Sequence, residues 1–260
     1  MDDNSAKQDG TQAIRRAATL LKQVAQNGGT GVKLRDLTET TGLSRSTAHR
    51  ILKALLDEHL LEYNDTSKRY TIGPLAFELS LASGLREREI MQWAPVIDEF
   101  RNQTGATTYL MGRSGSESVC LHKAEGTSVL RAIPVQPGQR RLLGVGAGAT
   151  ALLAQCSDEV IESTLQALRP YLDEYPNLSP EQIRRNVARV RETGFSESRG
   201  SVVDGVYGLA MALPGTGESA TLAISVAVHQ SFATEEKIAT WKRLMTSLRK
   251  TAEKMRAARI

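Results

Sequence analysis

The first quarter of the chain repeats apolar side chains every three or four positions, which predicts three helices. The first starts near residue 11 and stops before Gly28, and the second ends at Gly42. Ser44 follows that glycine closely and can cap the third helix through its hydroxyl group. The residues that this third helix is predicted to bury are Ala48, Ile51, Leu52 and Leu55.

A short hairpin and a linking helix are predicted next. Residues 60–63 and 69–72 resemble two short strands, and residues 64–67 between them are typical of a turn. Residues 74–88 read as one helix with apolar side chains on two sides. Such a helix usually has two packing partners, so either a dimer contact or packing within the chain explains it.

The remaining sequence alternates short strands with helices. Strands are predicted at residues 106–112, 117–122, 129–133, 206–213 and 220–229. Helices are predicted at residues 90–105, 150–155, 158–168 and 180–193, and from residue 234. This order predicts an α+β fold with a mostly antiparallel sheet. The predicted divisions are a disordered N-terminus (1–10), a winged helix-turn-helix (11–73), a linker helix (74–88) and a last domain (89–260).

Composition narrows the class of protein only moderately. The chain has 260 residues, a net charge of +4 and two cysteines. It lacks the run of about 18 apolar residues that a membrane span requires, and its polar start argues against a secretory signal. Few cysteines and the absence of metal-ligand spacing favour a cytoplasmic protein with no metal and no cofactor.

The third helix has a polar side at helical spacing, which is typical of the second helix of a helix-turn-helix. That helix enters the major groove of duplex DNA, where Arg50 can pair with guanine and Ser46, Thr47 and His49 can contact bases. Side chains near the helix ends and in the hairpin suit phosphates or the minor groove. The full candidate set is Ser44, Arg45, Ser46, Thr47, His49, Arg50, Lys53, Lys68 and Arg69. The alternative is a helical bundle whose basic face is merely solvated.

Six segments in order resemble the IclR-type family of bacterial transcriptional regulators. They are residues 42–55 (GLSRSTAHRILKAL), 69–74 (RYTIGP), 148–154 (GATALLA), 191–195 (RETGF) and 205–210 with 222–226 (GVYGLA, LAISV). The family's usual lysine is replaced by Thr150. The resemblance implies a GAF-like effector-binding domain from about residue 89. It also implies a repressor or activator that binds palindromic operators in double-stranded DNA as a dimer or a dimer of dimers.

The resemblance also implies a pocket for a small molecule, often an organic acid. Carried over by motif, its residues are Gly148, Ala149, Ser198, Gly208, Ser225 and Ala227. At Ser198, Gly208 and Ala227 relatives commonly have aspartate, cysteine and serine, respectively. These departures indicate a larger or more apolar effector, whereas the alternative is that these are ordinary small core residues.

Three other interpretations remain open from the sequence. Gly144, Gly146 and Gly148 superficially resemble a dinucleotide-binding loop, but residues 139–141 before them do not look like the buried strand that this loop needs. An enzyme with a winged-helix appendage is a second interpretation, although no catalytic set is visible. A protein-interaction module is the third, and it would not bind duplex DNA in a salt-dependent manner.

Overall fold

The computed structural model describes residues 3–83, 85–127, 135–213 and 222–257. The chain divides into two compact units, Met1–Glu87 and Arg88–Ile260. We call them the first and the second unit.

Three helices form the body of the first unit. They are α1 (Asp3–Gln26), α2 (Leu34–Thr41) and α3 (Arg45–Asp57). Gly42, with a φ of 67°, ends α2, because glycine adopts this left-handed conformation without steric strain. The apolar sides of the helices meet in a core that includes Leu20, Val24, Leu37, Leu52 and Leu55. The observed core therefore agrees with the helical pattern of the sequence, except that Ile51, which was expected to be buried, is only partly buried.

A two-stranded hairpin, which we call the wing, completes this core. Its strands are β1 (Leu61–Asn64) and β2 (Arg69–Ile72), paired antiparallel. The side chain of Asn64 accepts a hydrogen bond from the Ser67 amide at 2.8 Å, which stabilises the turn. Tyr70 exchanges two backbone hydrogen bonds with Val32, so the wing is joined to the segment before α2.

Two boundaries in the first unit differ from our expectation. Residues 3–10, expected to be disordered, belong to α1. The linker helix was expected to span residues 74–88, and the described residues of this range are helical: 74–83 belong to α4 (Pro74–Ser83) and 85–88 to α5 (Leu85–Thr104), while residue 84 lies outside the described residues. The difference is at the end of the linker, because α5 continues without interruption from residue 85 into the helix expected to begin near residue 90.

An antiparallel sheet forms the centre of the second unit. Among the residues that the structure describes, six strands follow the order β5-β4-β3-β8-β7-β6. Their bounds are β3 (Thr107–Ser114), β4 (Glu117–Ala124), β5 (Arg140–Leu142), β6 (Ser196–Arg199), β7 (Val206–Leu213) and β8 (Leu222–His229). All neighbouring pairs run antiparallel, which confirms the predicted α+β class.

Helices cover both faces of this sheet. One face packs against α6 (Ala147–Leu153), α7 (Asp158–Leu168) and α8 (Pro180–Thr193), and we call it the α6 face. The opposite face packs against α5 and α9 (Glu235–Ala257), whose Trp93 and Trp241 are buried there. Both tryptophans of the chain therefore lie in the second unit.

The sequence missed the two edge strands of the sheet. Residues 139–141 were not expected to form a strand, but Arg140–Leu142 is β5 and pairs with β4. Ser196–Arg199, which has no apolar alternation, is β6 and pairs with β7. The strand predicted at residues 129–133 lies outside the described residues. No helix in the described ranges is both long enough and apolar enough to cross a membrane.

Candidate nucleic-acid interface and effector site

The two sides of helix α3 face different environments. Ala48, Leu52 and Leu55 are buried in the core of the first unit. The opposite side consists of exposed residues, and we call it the outer face of α3: Arg45, Ser46, His49, Arg50 and Lys53. Five of the nine predicted DNA-binding residues therefore project from one side of one helix into solvent.

Ser44 and Thr47 order the beginning of α3. The Ser44 hydroxyl accepts a hydrogen bond from the Thr47 amide at 3.2 Å and donates one to the Thr47 hydroxyl at 2.9 Å. Ser44 is therefore the N-cap that the sequence predicted. Because these two hydroxyls are engaged with each other, their first role is to fix the helix start.

The two predicted wing residues have different surroundings. Lys68 is exposed, and its Nζ lies 3.5 Å from a carboxylate oxygen of Asp65. Arg69 is partly buried, and its Nη1 donates a hydrogen bond to the Gly31 carbonyl oxygen at 2.7 Å. Arg69 thus ties the wing to the segment before α2, whereas Lys68 keeps its ammonium group at the surface.

A concavity of about 560 Å³ lies between the start of α2, the outer face of α3 and the wing. Basic side chains from all three elements line it: Lys33, Arg35, Arg45, His49, Lys53 and Lys68. Lys33 and Arg35 were not among the predicted residues. Lys33 immediately precedes α2. A cation directly before the first helix of a helix-turn-helix is the sequence feature that could have identified it. A groove lined by cations from separate elements suits a polyanionic backbone.

In the second unit, the six predicted effector residues lie together. Ser198, Gly208 and Ala227 are direct cross-strand neighbours on β6, β7 and β8. Ser225 lies two residues before Ala227 and therefore on the same face of β8. Gly148 and Ala149 are buried in α6. The site is therefore the contact between the start of α6 and one face of the sheet.

Two glycines allow α6 to approach the sheet closely. A Cβ atom at Gly148 would lie 3.0 Å from Met111 Cγ and 3.3 Å from Ser225 Cβ. A Cβ atom at Gly208 would lie 3.2 Å from the Ala147 Cβ. Side chains at these positions would have to displace their neighbours, so the small residues serve packing as well as any ligand.

Polar groups at this site are few. The Ser198 hydroxyl lies 2.6 Å from the Ser201 hydroxyl. Ser196, which the sequence did not indicate, lies on the same face of β6, and its buried hydroxyl has no hydrogen-bond partner among the described residues. Because β6 itself was not predicted, no periodic signal could have identified Ser196. Such an unpaired buried hydroxyl is able to hydrogen-bond a ligand.

The glycine-rich segment before α6 does not form a dinucleotide-binding loop. A strand, β5, does precede it, contrary to our expectation, but β5 pairs antiparallel with β4. The parallel βαβ unit that such a loop requires is not formed by the described residues. Instead, the Thr150 hydroxyl donates a hydrogen bond to the Gly144 carbonyl oxygen at 3.1 Å and so holds the loop against α6.

In the second unit, Cys120 is buried and His122 lies beside a carboxylate. Burial raises the pKa of the Cys120 thiol to about 12, so the thiol stays neutral and weakly nucleophilic. His122 contacts Asp98 at 3.1 Å. Within the described ranges, no group of three or more His, Cys, Asp or Glu residues could hold a metal ion.

Comparison with known proteins gives matches for both units. The family model for the IclR helix-turn-helix domain matches residues 13–65. The model described as bacterial transcriptional regulator IclR C-terminal matches residues 83–257. Among curated proteins, the transcriptional repressor IclR of Escherichia coli (strain K12) is 26% identical over 191 residues, covering 71% of this chain and 68% of that protein.

Solved structures share the fold. An IclR transcriptional regulator from Silicibacter sp. TM1040 superposes with a TM-score of 0.77 at 22% identity, covering 94% of this chain and 96% of that one. An IclR homologue from Microbacterium hydrocarbonoxydans, crystallised with 4-hydroxybenzoate, gives a TM-score of 0.68 at 18% identity, covering 93% and 99%. At these identities the likeness shows the fold alone.

Proposed function

Because the chain belongs to the IclR family of bacterial transcriptional regulators, with a helix-turn-helix domain and an effector-binding domain, we propose that one set of its residues binds DNA and another binds the effector. The outer face of α3 reads operator DNA, and a small molecule bound beside α6 is the signal. The observation that carries this proposal is the exposure of Arg45, Ser46, His49, Arg50 and Lys53 on a helix whose other side is buried.

The residues of the first unit have distinct roles in this proposal. Arg50 forms a bidentate pair with a guanine, and Ser46 and His49 contact neighbouring base edges. Arg45 and Lys53, nearer the ends of the outer face, bind phosphates and fix the register of the helix. Thr47 stays within reach of the same groove, although its hydroxyl first orders the helix start together with Ser44.

Cations outside α3 extend the contact with the DNA backbone. Lys33 and Arg35 face the same concavity as the outer face of α3, and we assign them to phosphates. Lys68 in the wing reaches an adjacent phosphate or the minor groove. Arg69 acts indirectly in this scheme, because its hydrogen bond to Gly31 positions the wing.

The regulator acts as a homodimer, or as a dimer of dimers, in the cytoplasm. Helix α4 supports this assembly, because Phe77, Leu79 and Leu81 are exposed by 66%, 56% and 47%, respectively. An exposed apolar surface of this kind marks an interaction site. Two α3 helices related by a twofold axis contact half-sites roughly 34 Å apart, or a multiple of this distance.

The effector is a small organic acid or an aromatic catabolite that contacts Gly148, Ala149, Ser198, Gly208, Ser225 and Ala227. The 4-hydroxybenzoate complex of the Microbacterium homologue supports this class of ligand. The ligand changes operator affinity only as far as it binds the two arrangements of the dimer differently. It is a signal and not a substrate, so we expect no turnover by the full chain.

Recovery of genomic fragments by the full-length protein tests the proposal. The retained fragments should share a palindromic sequence, and binding to it should weaken steeply as salt is raised. The variant Arg50→Ala should lose about 1–3 kcal/mol of binding free energy and relax base preference at one operator position. Fluorescence anisotropy with single-base operator variants measures both effects.

Two control variants separate base reading from charge. Lys53→Ala should weaken binding to all duplexes alike and lower the salt slope by about 1. Arg15→Ala removes one exposed positive charge from α1 and should change neither base preference nor the salt slope. If Arg50→Ala bound the operator with unchanged strength and preference, α3 would not be the reading helix.

A further inference from the structure

Two adjacent arginines on the edge strand β5 have opposite surroundings. Arg140 is fully engaged: its Nε donates to a Glu117 carboxylate oxygen at 2.9 Å, and its Nη2 donates to the Ser114 hydroxyl at 2.8 Å. Arg141 points to the other side of the strand. Its backbone partner on β4 is Ser118, which is fully buried on the same side as Cys120 and the α6 face.

The Arg141 guanidinium lies at the start of α6. Its Nη1 is 3.7 Å from the position that a Cβ atom would take at Gly146, and Val202 is 3.5 Å from that position. Two titratable side chains, those of Tyr175 and Tyr109, interact with it electrostatically. In the part of the chain that the structure describes, the guanidinium has neither a carboxylate partner nor a hydrogen bond. Burial lowers its pKa.

An arginine of this kind calls for an anionic partner. Transfer of a cation away from water is unfavourable unless an opposite charge and hydrogen bonds compensate for the lost hydration. Val202, Tyr175 and Tyr109 near the guanidinium are apolar or aromatic, and Val202 and Tyr175 pack against the core that includes Tyr109. Lys123, which lies opposite Tyr109 on β4, already has a partner, because its Nζ lies 2.8 Å from Glu125.

We propose that Arg141 binds the carboxylate of the effector in a bidentate pair and thereby selects monocarboxylic acids. The inference rests on the proposed function, namely that the second unit binds an effector beside α6. A guanidinium carries one positive charge and matches the planar geometry of one carboxylate. A phosphate monoester would carry a second negative charge into apolar surroundings without a cation to balance it.

The rest of the site suits the body of such an acid. Tyr109 and Met111 on β3 lie on the same face of the sheet as Ser225 on the neighbouring strand β8. The Ser225 hydroxyl has no hydrogen bond to any described residue and is therefore available to a polar substituent. In this assignment the aromatic or branched apolar body of the acid contacts Met111 and Tyr109, with its carboxylate toward Arg141.

A thermal-shift and calorimetry experiment on the full-length protein tests the assignment. The probes are benzoate, phenylacetate and pyruvate, with benzamide as the neutral analogue of benzoate and phenyl phosphate as the phosphate analogue. We expect at least one carboxylate to raise the melting temperature of the wild type. The Kd of that carboxylate should rise about 10- to 100-fold in Arg141→Met, since hydrogen bonds to a charged group are lost.

Arg140→Met is the matched control because it removes the neighbouring arginine from the same strand. It should lower the melting temperature of the ligand-free protein by breaking the contact with Glu117, but leave the Kd of the carboxylate unchanged. Arg141→Met should leave the ligand-free melting temperature unchanged or raise it, because an unpaired partly buried charge is replaced by an apolar side chain. A merely structural arginine would give the opposite result for the ligand-free protein.

Four outcomes would overturn the assignment. They are no shift with any carboxylate, an equal shift with benzamide, a larger shift with phenyl phosphate than with benzoate, and an unchanged Kd in Arg141→Met. These readouts contain no DNA. A failure of wild-type protein to retain genomic fragments would therefore contradict the proposed function separately.

Discussion

Helices α3 and α6 are both short and both follow a turn that contains glycine, but they present their residues differently. In α3 the buried side carries Ala48, Leu52 and Leu55, and the outer face projects polar side chains into solvent. In α6 all seven residues are buried, and most of them are small. A surface that reads a large polyanion needs long exposed side chains. A site for a small molecule needs close, apolar backbone and a few polar groups.

The largest expected effect tests whether the two units are independent. Leu52→Ala should lower the free energy of unfolding of the first unit by about 2–5 kcal/mol, because it leaves a cavity beneath α3. Both tryptophans lie in the second unit, so tryptophan fluorescence should keep its wild-type denaturation curve while far-UV circular dichroism shows an earlier transition. An equal shift in both signals would contradict the comparison, because the units would then unfold as one.

The next effect concerns the close approach of α6 to the sheet. Gly148→Val should lower the free energy of unfolding of the second unit by about 1–3 kcal/mol, because the added atoms collide with Met111 and Ser225. The tryptophan fluorescence transition measures this loss. Gly148→Ala is the control and should lie nearer the wild type, since alanine favours the helix and Met111 is flexible. A stable Gly148→Val protein would show that α6 is loosely packed.

The smallest effect concerns the cap of α3. Ser44→Ala should lower the free energy of unfolding by about 1 kcal/mol, because the Thr47 amide loses its acceptor. Ser44→Asp should restore stability, since a carboxylate also caps a helix, but it should weaken DNA binding by placing a negative charge beside the outer face. Circular dichroism and anisotropy measure the two properties, and parallel changes in both would argue against a separate capping role.

The first unit was predicted more completely than the second. Its helices, the Ser44 cap and the outer face of α3 follow from periodicity and capping, which operate over a few residues. The contribution of Lys33 and Arg35 to the same concavity depends on how α2, α3 and the wing pack, so the helical pattern of α3 did not include them. In the second unit, β7 was predicted with its observed bounds, whereas β5 and β6 were missed because edge strands lack apolar alternation.

The sequence by itself determined the three helices of the first unit, four of the six described strands of the second unit, and the polar side of α3, because each depends on neighbours within a few residues. Only the tertiary structure decided which arginines have partners. Arg69 bonds to Gly31, 38 residues away, and Arg140 bonds to Glu117, 23 residues away, whereas the guanidinium of Arg141 has no partner among the described residues. The physical reason is that a charge is satisfied by what lies near it in space, and chain folding alone brings distant residues together.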